Sequence, residues 1–113
     1  MYTDKATELI TWLRGKTLVL ALLREKNAKA VIRAALTRWT AHYMAYHRLL
    51  ELRPKMLSIV YDDESLPANQ KLITIGDAKA KAKARQMISV IQDGLFWHAI
   101  TRCVFMNHNH LPC

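Results

Sequence analysis

The densest charge in the chain is the run Lys79, Lys81, Lys83 and Arg85, set at alternate positions. On a helix, Lys79 and Lys83 share one face, and Lys81 and Arg85 share another. Cations grouped in this way contact phosphates, and binding through them falls steeply with salt. The alternative is a solvated basic helix surface. Other residue types capable of chemistry are poorly spaced for it. Asp62, Asp63 and Glu64 are consecutive. They cannot all converge on one pair of metal ions, and they read as a solvated acidic loop between helices. Cys103, His108, His110 and Cys113 are ligand types that zinc accepts, but their gaps do not match the paired spacing of structural zinc sites. That segment reads as a His-rich tail without metal. His42, His47 and His98 are scattered and read as half-buried helix residues. There is no Ser-His-Asp or Cys-His arrangement and no glycine-rich phosphate loop. No catalytic residue, metal ligand or cofactor is therefore assigned.

The bulk properties set the frame for those residues. The chain of 113 residues carries 17 Lys and Arg against 9 Asp and Glu, a net charge of +8. A surplus of this size favours anionic partners, such as DNA or RNA. The length fits one domain, and 51% apolar residues permit a real core. Gly and Pro number three each, few for a loop-rich or β-sandwich protein. Two cysteines do not make a disulfide framework. The opening Met1-Tyr2-Thr3-Asp4 is not a secretory signal. The longest apolar run, Leu18–Leu23, is far short of the ~20 residues that cross a bilayer. These features lead to the expectation of a soluble, intracellular protein with reduced thiols and no membrane partner.

The elements that must position the basic run are helical. A first helix starts at Thr3 or Asp4 and carries the stripe Ala6, Leu9, Ile10 and Leu13. Gly15 ends or kinks it. Leu18–Leu23 is apolar on all sides and reads as a short buried helix, followed by a polar joint at Arg24–Lys29. Leu36, Trp39, Tyr43, Tyr46 and Leu50 fall on one helix face and read as core, while Arg38, His42 and Arg48 fall away from it. Pro54 breaks or restarts that helix, and Met56, Ile59 and Val60 form a further short turn. Pro67 opens a short helix to about Thr74. Gly76-Asp77 reads as a stop and a cap. From Ala78 the alanine and lysine content favours helix over strand, with Ala80, Ala84, Met87, Ile88 and Ile91 inward. Asp93-Gly94 is another break before a last helix, Leu95–Phe105. Trp12, Phe96 and Trp97 are assigned to the core. The expectation is an all-α bundle of about five to six helices over residues 1–106, with an unstructured tail at 107–113.

Four ordered segments carry a family resemblance. They are Ile10-Thr-Trp-Leu-Arg-Gly-Lys-Thr-Leu-Val-Leu-Ala-Leu-Leu-Arg24, Val31-Ile-Arg-Ala-Ala-Leu-Thr-Arg-Trp-Thr-Ala-His-Tyr43, Leu49-Leu-Glu-Leu-Arg-Pro54, and Ala78–Arg85 leading into Phe96-Trp97-His98-Ala99-Ile100. From about residue 5 to 102 the chain resembles the middle of hAT-superfamily DNA transposases, especially basidiomycete forms, with Thr37-Arg38-Trp39 as the hallmark. In that family an RNase H-like domain is interrupted by a large helical insertion, and the Thr-Arg-Trp motif lies near its entry. The resemblance implies part of that insertion here. It also implies that Trp39 stacks on a displaced base, an interaction of ~1–3 kcal/mol. The family cuts DNA with metal ions held by three acidic residues spread along a longer chain. The resembling stretch falls after the first two and before the third, and from Cys103 onward the sequence leaves the pattern.

The expected function is that of a non-catalytic transposase remnant with residual nucleic-acid binding at Arg38, Trp39, Lys79, Lys81, Lys83 and Arg85. Nuclear localisation follows from the family alone. Two alternatives stand beside it. One is a protein–protein or homo-oligomeric module that uses apolar faces left exposed by the missing parent fold. The other is a translated remnant with no selected function.

Overall fold

The computed structural model describes residues 2–27 and 39–108, with side chains described for 4–27 and 44–105. The described residues form five α-helices and one 3-10 turn, with no strand. Helix α1 spans Tyr2–Arg14, α2 Thr17–Glu25, α3 Trp39–Glu64, α4 Ala78–Ile91 and α5 Gly94–His108, with the 3-10 turn at Ala68–Gln70. The all-α expectation holds.

The sequence pattern explains most of these elements. In α1, Ala6, Leu9, Ile10 and Leu13 are all buried, because their spacing lines one face. The helix ends at Arg14, and the Gly15 amide donates to the carbonyls of Thr11 and Trp12. In α2 only Val19 and Leu23 are fully buried. Leu18 is 46% exposed, so this helix lies on the core rather than within it. The chain leaves α2 through Asn27, which has φ +58°, a left-handed conformation that asparagine tolerates. Two lysines fix this corner to α3. Lys55 Nζ donates to the Asn27 carbonyl at 2.7 Å, and Lys26 Nζ donates to Asp62 Oδ2 at 3.1 Å.

Helix α3 corrects the reading of Pro54. The helix runs through the proline without a break from Trp39 to Glu64. Proline in a helix interior removes one hydrogen bond and crowds the preceding turn, at a cost of ~3 kcal/mol. Tertiary packing offsets that cost. Ala45, Leu49, Leu52, Met56, Ile59 and Val60 form a buried stripe on both sides of the proline, and Pro54 itself faces solvent. Of the expected aromatic stripe, Tyr46 is buried and Leu50 packs partly against the core. Leu36 and the side chains of Trp39 and Tyr43 lie outside the described residues. Burial raises the Tyr46 pKa above 10.0; a hydrogen bond with Thr7 opposes this and Asp4 adds to it.

Helix α5 is the centre of the bundle. It packs most extensively on α3 and also meets α1 and α4. Phe96, Trp97 and Ile100 are its core residues. The two rings meet edge to face at 4.9 Å, a favoured aromatic geometry. Trp97 Nε1 donates to the Ile91 carbonyl at 2.6 Å, bridging the break between α4 and α5. The Arg53 guanidinium sits 5.4 Å from the Trp97 ring centroid, within cation–π range. Asp93 starts α5 by accepting from the Leu95 amide at 3.0 Å. The helix extends to His108, two residues into the expected tail, and residues 109–113 lie outside the described part.

Trp97→Ala is expected to lower stability by about 3–5 kcal/mol, read by chemical denaturation. Leu95→Ala, at a residue 68% exposed, should change it by less than ~0.5 kcal/mol. Equal losses would contradict this placement of the core.

Candidate anion-binding site

Two short segments position the basic run. Gly76 has φ +99°, and a Cβ there would meet the Ala80 Cβ at 3.0 Å, so glycine suits this turn both conformationally and sterically. Asp77 then caps α4, with Oδ1 accepting from the Ala80 amide at 2.8 Å, as the Gly76-Asp77 pair predicts. Ala84, Met87, Ile88, Val90 and Ile91 turn inward, Ala80 less so, which fixes the outward face.

The four basic residues take three different roles. Lys79 is exposed and makes no ion pair among the described residues. Lys83 is committed to α1, where its Nζ lies 2.6 Å from Glu8 Oε2. Both side chains are more than a third exposed, so the pair contributes only about 0–1 kcal/mol. Its main effect is to set α4 against α1. Lys81 and Arg85 sit one turn apart and line a cleft of about 290 Å3. Their side chains also make no ion pair or hydrogen bond among the described residues. Lys71 and Thr74 form the opposite wall, from the 65–77 connection, and Glu64, Ala68 and Ile88 complete the lining. Arg38 lies outside the described residues. Trp39 opens α3, but its side chain is outside them too.

Lys71 reaches this site because of Asp63. The spacing of Asp62, Asp63 and Glu64 suggests a solvated loop; in the structure they form the last turn of α3, and Asp63 is 3% exposed. Its Oδ1 accepts from the Leu72 amide at 2.6 Å and the Ile73 amide at 3.2 Å. Lys71 Nζ donates back to the carbonyls of Asp63 at 2.9 Å and Glu64 at 3.3 Å. A cation on the terminal carbonyls also suits the negative end of the helix dipole. These bonds replace the expected short helix to Thr74. Only Ala68–Gln70 forms a 3-10 turn, after Pro67, and Ile73 is drawn into the core. Glu64 Oε1 is held by Gln92 Nε2 at 3.1 Å.

A larger cleft of about 380 Å3 lies along α1, lined by Asp4, Thr7, Glu8, Thr11, Trp12 and Lys83. Its one cation is already paired with Glu8, so it does not suit an anion. His47 and His98 are exposed rather than half-buried. His47 Nδ1 lies 3.3 Å from Glu51, while His42's side chain is outside the described residues. Cys103 is buried and disulfide-bonded, which corrects the expectation of reduced thiols. Among the described residues no cluster of His, Cys, Asp or Glu could hold a metal ion, and no helix is long and apolar enough to cross a membrane. Large apolar side chains stand out from α3 and α5, with Tyr61 at 76%, Leu95 at 68% and Phe105 at 63% exposed.

No family model, curated protein or solved structure matches the chain.

Asp63→Ala leaves two amides of the 65–77 connection without their acceptor, a loss of about 1–3 kcal/mol for each buried group. Hydrogen exchange at Leu72 and Ile73 should speed up markedly. Asp63→Asn retains the Oδ1 acceptor and should lose less. Unchanged exchange in the alanine variant would refute the tether.

Proposed function

We propose that the protein is a non-catalytic nucleic-acid-binding module, a helical remnant of a hAT-type transposase that contacts the phosphate backbone through the exposed cations of α4. The observation that supports this reading is that Lys79, Lys81 and Arg85 are all exposed on α4 without an ion-pair partner among the described residues, Lys81 and Arg85 on one face and Lys79 on another. Lys79 and Lys81 also lie in the first turn of α4, at the positive end of the helix dipole. A cation there is disfavoured by ~0.3–1 kcal/mol. Charges placed against the helix's own field are better matched by an external anion than by folding. The net charge of +8 acts in the same direction. The transposase ancestry, a nuclear site of action and base stacking by Trp39 rest on the sequence resemblance.

A second reading is a protein–protein or homo-oligomeric module. It is favoured by the exposed Tyr61, Leu95 and Phe105. Sedimentation of a concentration-independent monomer would remove the homo-oligomer.

Binding of labelled duplex and single-stranded DNA across a salt series tests the first reading. Log affinity should fall linearly with log salt. Joint replacement of Lys79, Lys81 and Arg85 by alanine should reduce the slope for duplex by about 2–3, roughly 0.9 for each phosphate no longer neutralised. Lys83→Ala should change it least, because Glu8 already holds that lysine. Trp39→Ala should cost single-stranded DNA more affinity than duplex if the stacking role operates. Salt-independent binding, or a triple variant equal to wild type, would overturn the proposal.

A further inference from the structure

We propose that the cleft between α4 and the 65–77 connection is a mononucleotide-sized site, which takes one unpaired nucleotide in preference to duplex. The inference rests on the nucleic-acid reading and adds to it the form of the ligand. A flat basic surface binds any phosphate backbone without distinguishing paired from unpaired strands. This site is a cleft of about 290 Å3, at the lower edge of the ~300–1,000 Å3 typical of small-molecule sites. A duplex cannot enter a space of that size, whereas one nucleotide unit can.

The lining suits the parts of a nucleotide in turn. Lys81 and Arg85, one helical turn apart, provide the unpaired cations for the phosphate. The Arg85 guanidinium can offer two parallel donors. The Lys71 ammonium, fixed on the carbonyls of Asp63 and Glu64, adds positive field from the opposite wall without having to be ordered on binding. Ile88 and Ala68 supply an apolar surface for a sugar or base. The Thr74 hydroxyl and the Glu64 carboxylate are acceptors for sugar hydroxyls or a base amine. Gln92 holds Glu64 at 3.1 Å, which steadies that acceptor beside the cations. The walls are preorganised because Asp63 ties one to α3 and Asp77 caps the other, so little ordering is required on binding.

The test is competition against a labelled single-stranded oligonucleotide, using the intact chain at constant ionic strength. The competitors are adenosine 5′-monophosphate, inorganic phosphate and adenosine. Adenosine 5′-monophosphate should compete at concentrations about tenfold or more below those needed for phosphate or adenosine, since phosphate and apolar contacts combine. Ala68→Trp, at an exposed position on the rim, should fill the cleft and abolish that competition. It should leave the helical circular dichroism unchanged. Two outcomes overturn the inference while leaving backbone binding intact. One is inorganic phosphate competing as well as the nucleotide; the other is Ala68→Trp binding the nucleotide as well as wild type. Failure of the oligonucleotide itself to bind would overturn both the inference and the reading it rests on.

Discussion

The carboxylate of Asp63 determines where the longest described connection in the fold lies. Between Glu64 and Ala78 the chain has only a single 3-10 turn, so its backbone groups must find partners elsewhere. Asp63 Oδ1 takes two of its amides, and Lys71 closes the arrangement by donating to the last carbonyls of α3. The exchange is reciprocal. The helix end supplies acceptors to the loop's lysine, and the loop supplies donors to the helix's buried acid. Asp63 Oδ2 is left buried without a hydrogen-bond partner. The packing of Ile73 into the core and the capping by Lys71 must outweigh that desolvation. With the connection fixed, Gly76 and Asp77 launch α4 so that Lys81 and Arg85 face Lys71 across a cleft.

Elements governed by local rules are legible in the sequence. The α1 stripe, the Gly76-Asp77 stop and cap, the inward face of α4 and the Asp93-Gly94 break each depend on residues within a turn or two of one another. Phe96 and Trp97 are legible as core from their size and apolar character. Pro54 misleads because the local rule is correct but incomplete. A proline does weaken a helix, and here a buried stripe on each side of it, packed on α5, holds the helix together. Asp63 misleads for the same kind of reason. Three consecutive acids look solvated, and nothing nearby indicates that amides nine and ten residues later will claim the middle one.

The candidate site is legible only in part. Alternation along α4 correctly separates Lys81 and Arg85 from Lys79 and Lys83. It does not show that Lys83 is committed to Glu8, a residue 75 positions earlier. Lys71 and Thr74 carry no sequence signal at all, since their place in the site follows from the Asp63 tether. Spacing within one helix therefore identifies a face, whereas the opposite wall of a cleft depends on long-range contacts.

The most direct measurement is an amide chemical-shift titration of the labelled protein with a short single-stranded oligonucleotide at low salt. The expected result is a set of shifts concentrated at Lys71, Thr74, Lys81, Arg85 and their neighbours, with the tethered amides of Leu72 and Ile73 responding as one wall of the cleft. Shifts confined to the surroundings of Tyr61, Leu95 and Phe105, or no shifts at all, would contradict the proposal that the α4 cleft is where this protein meets its ligand.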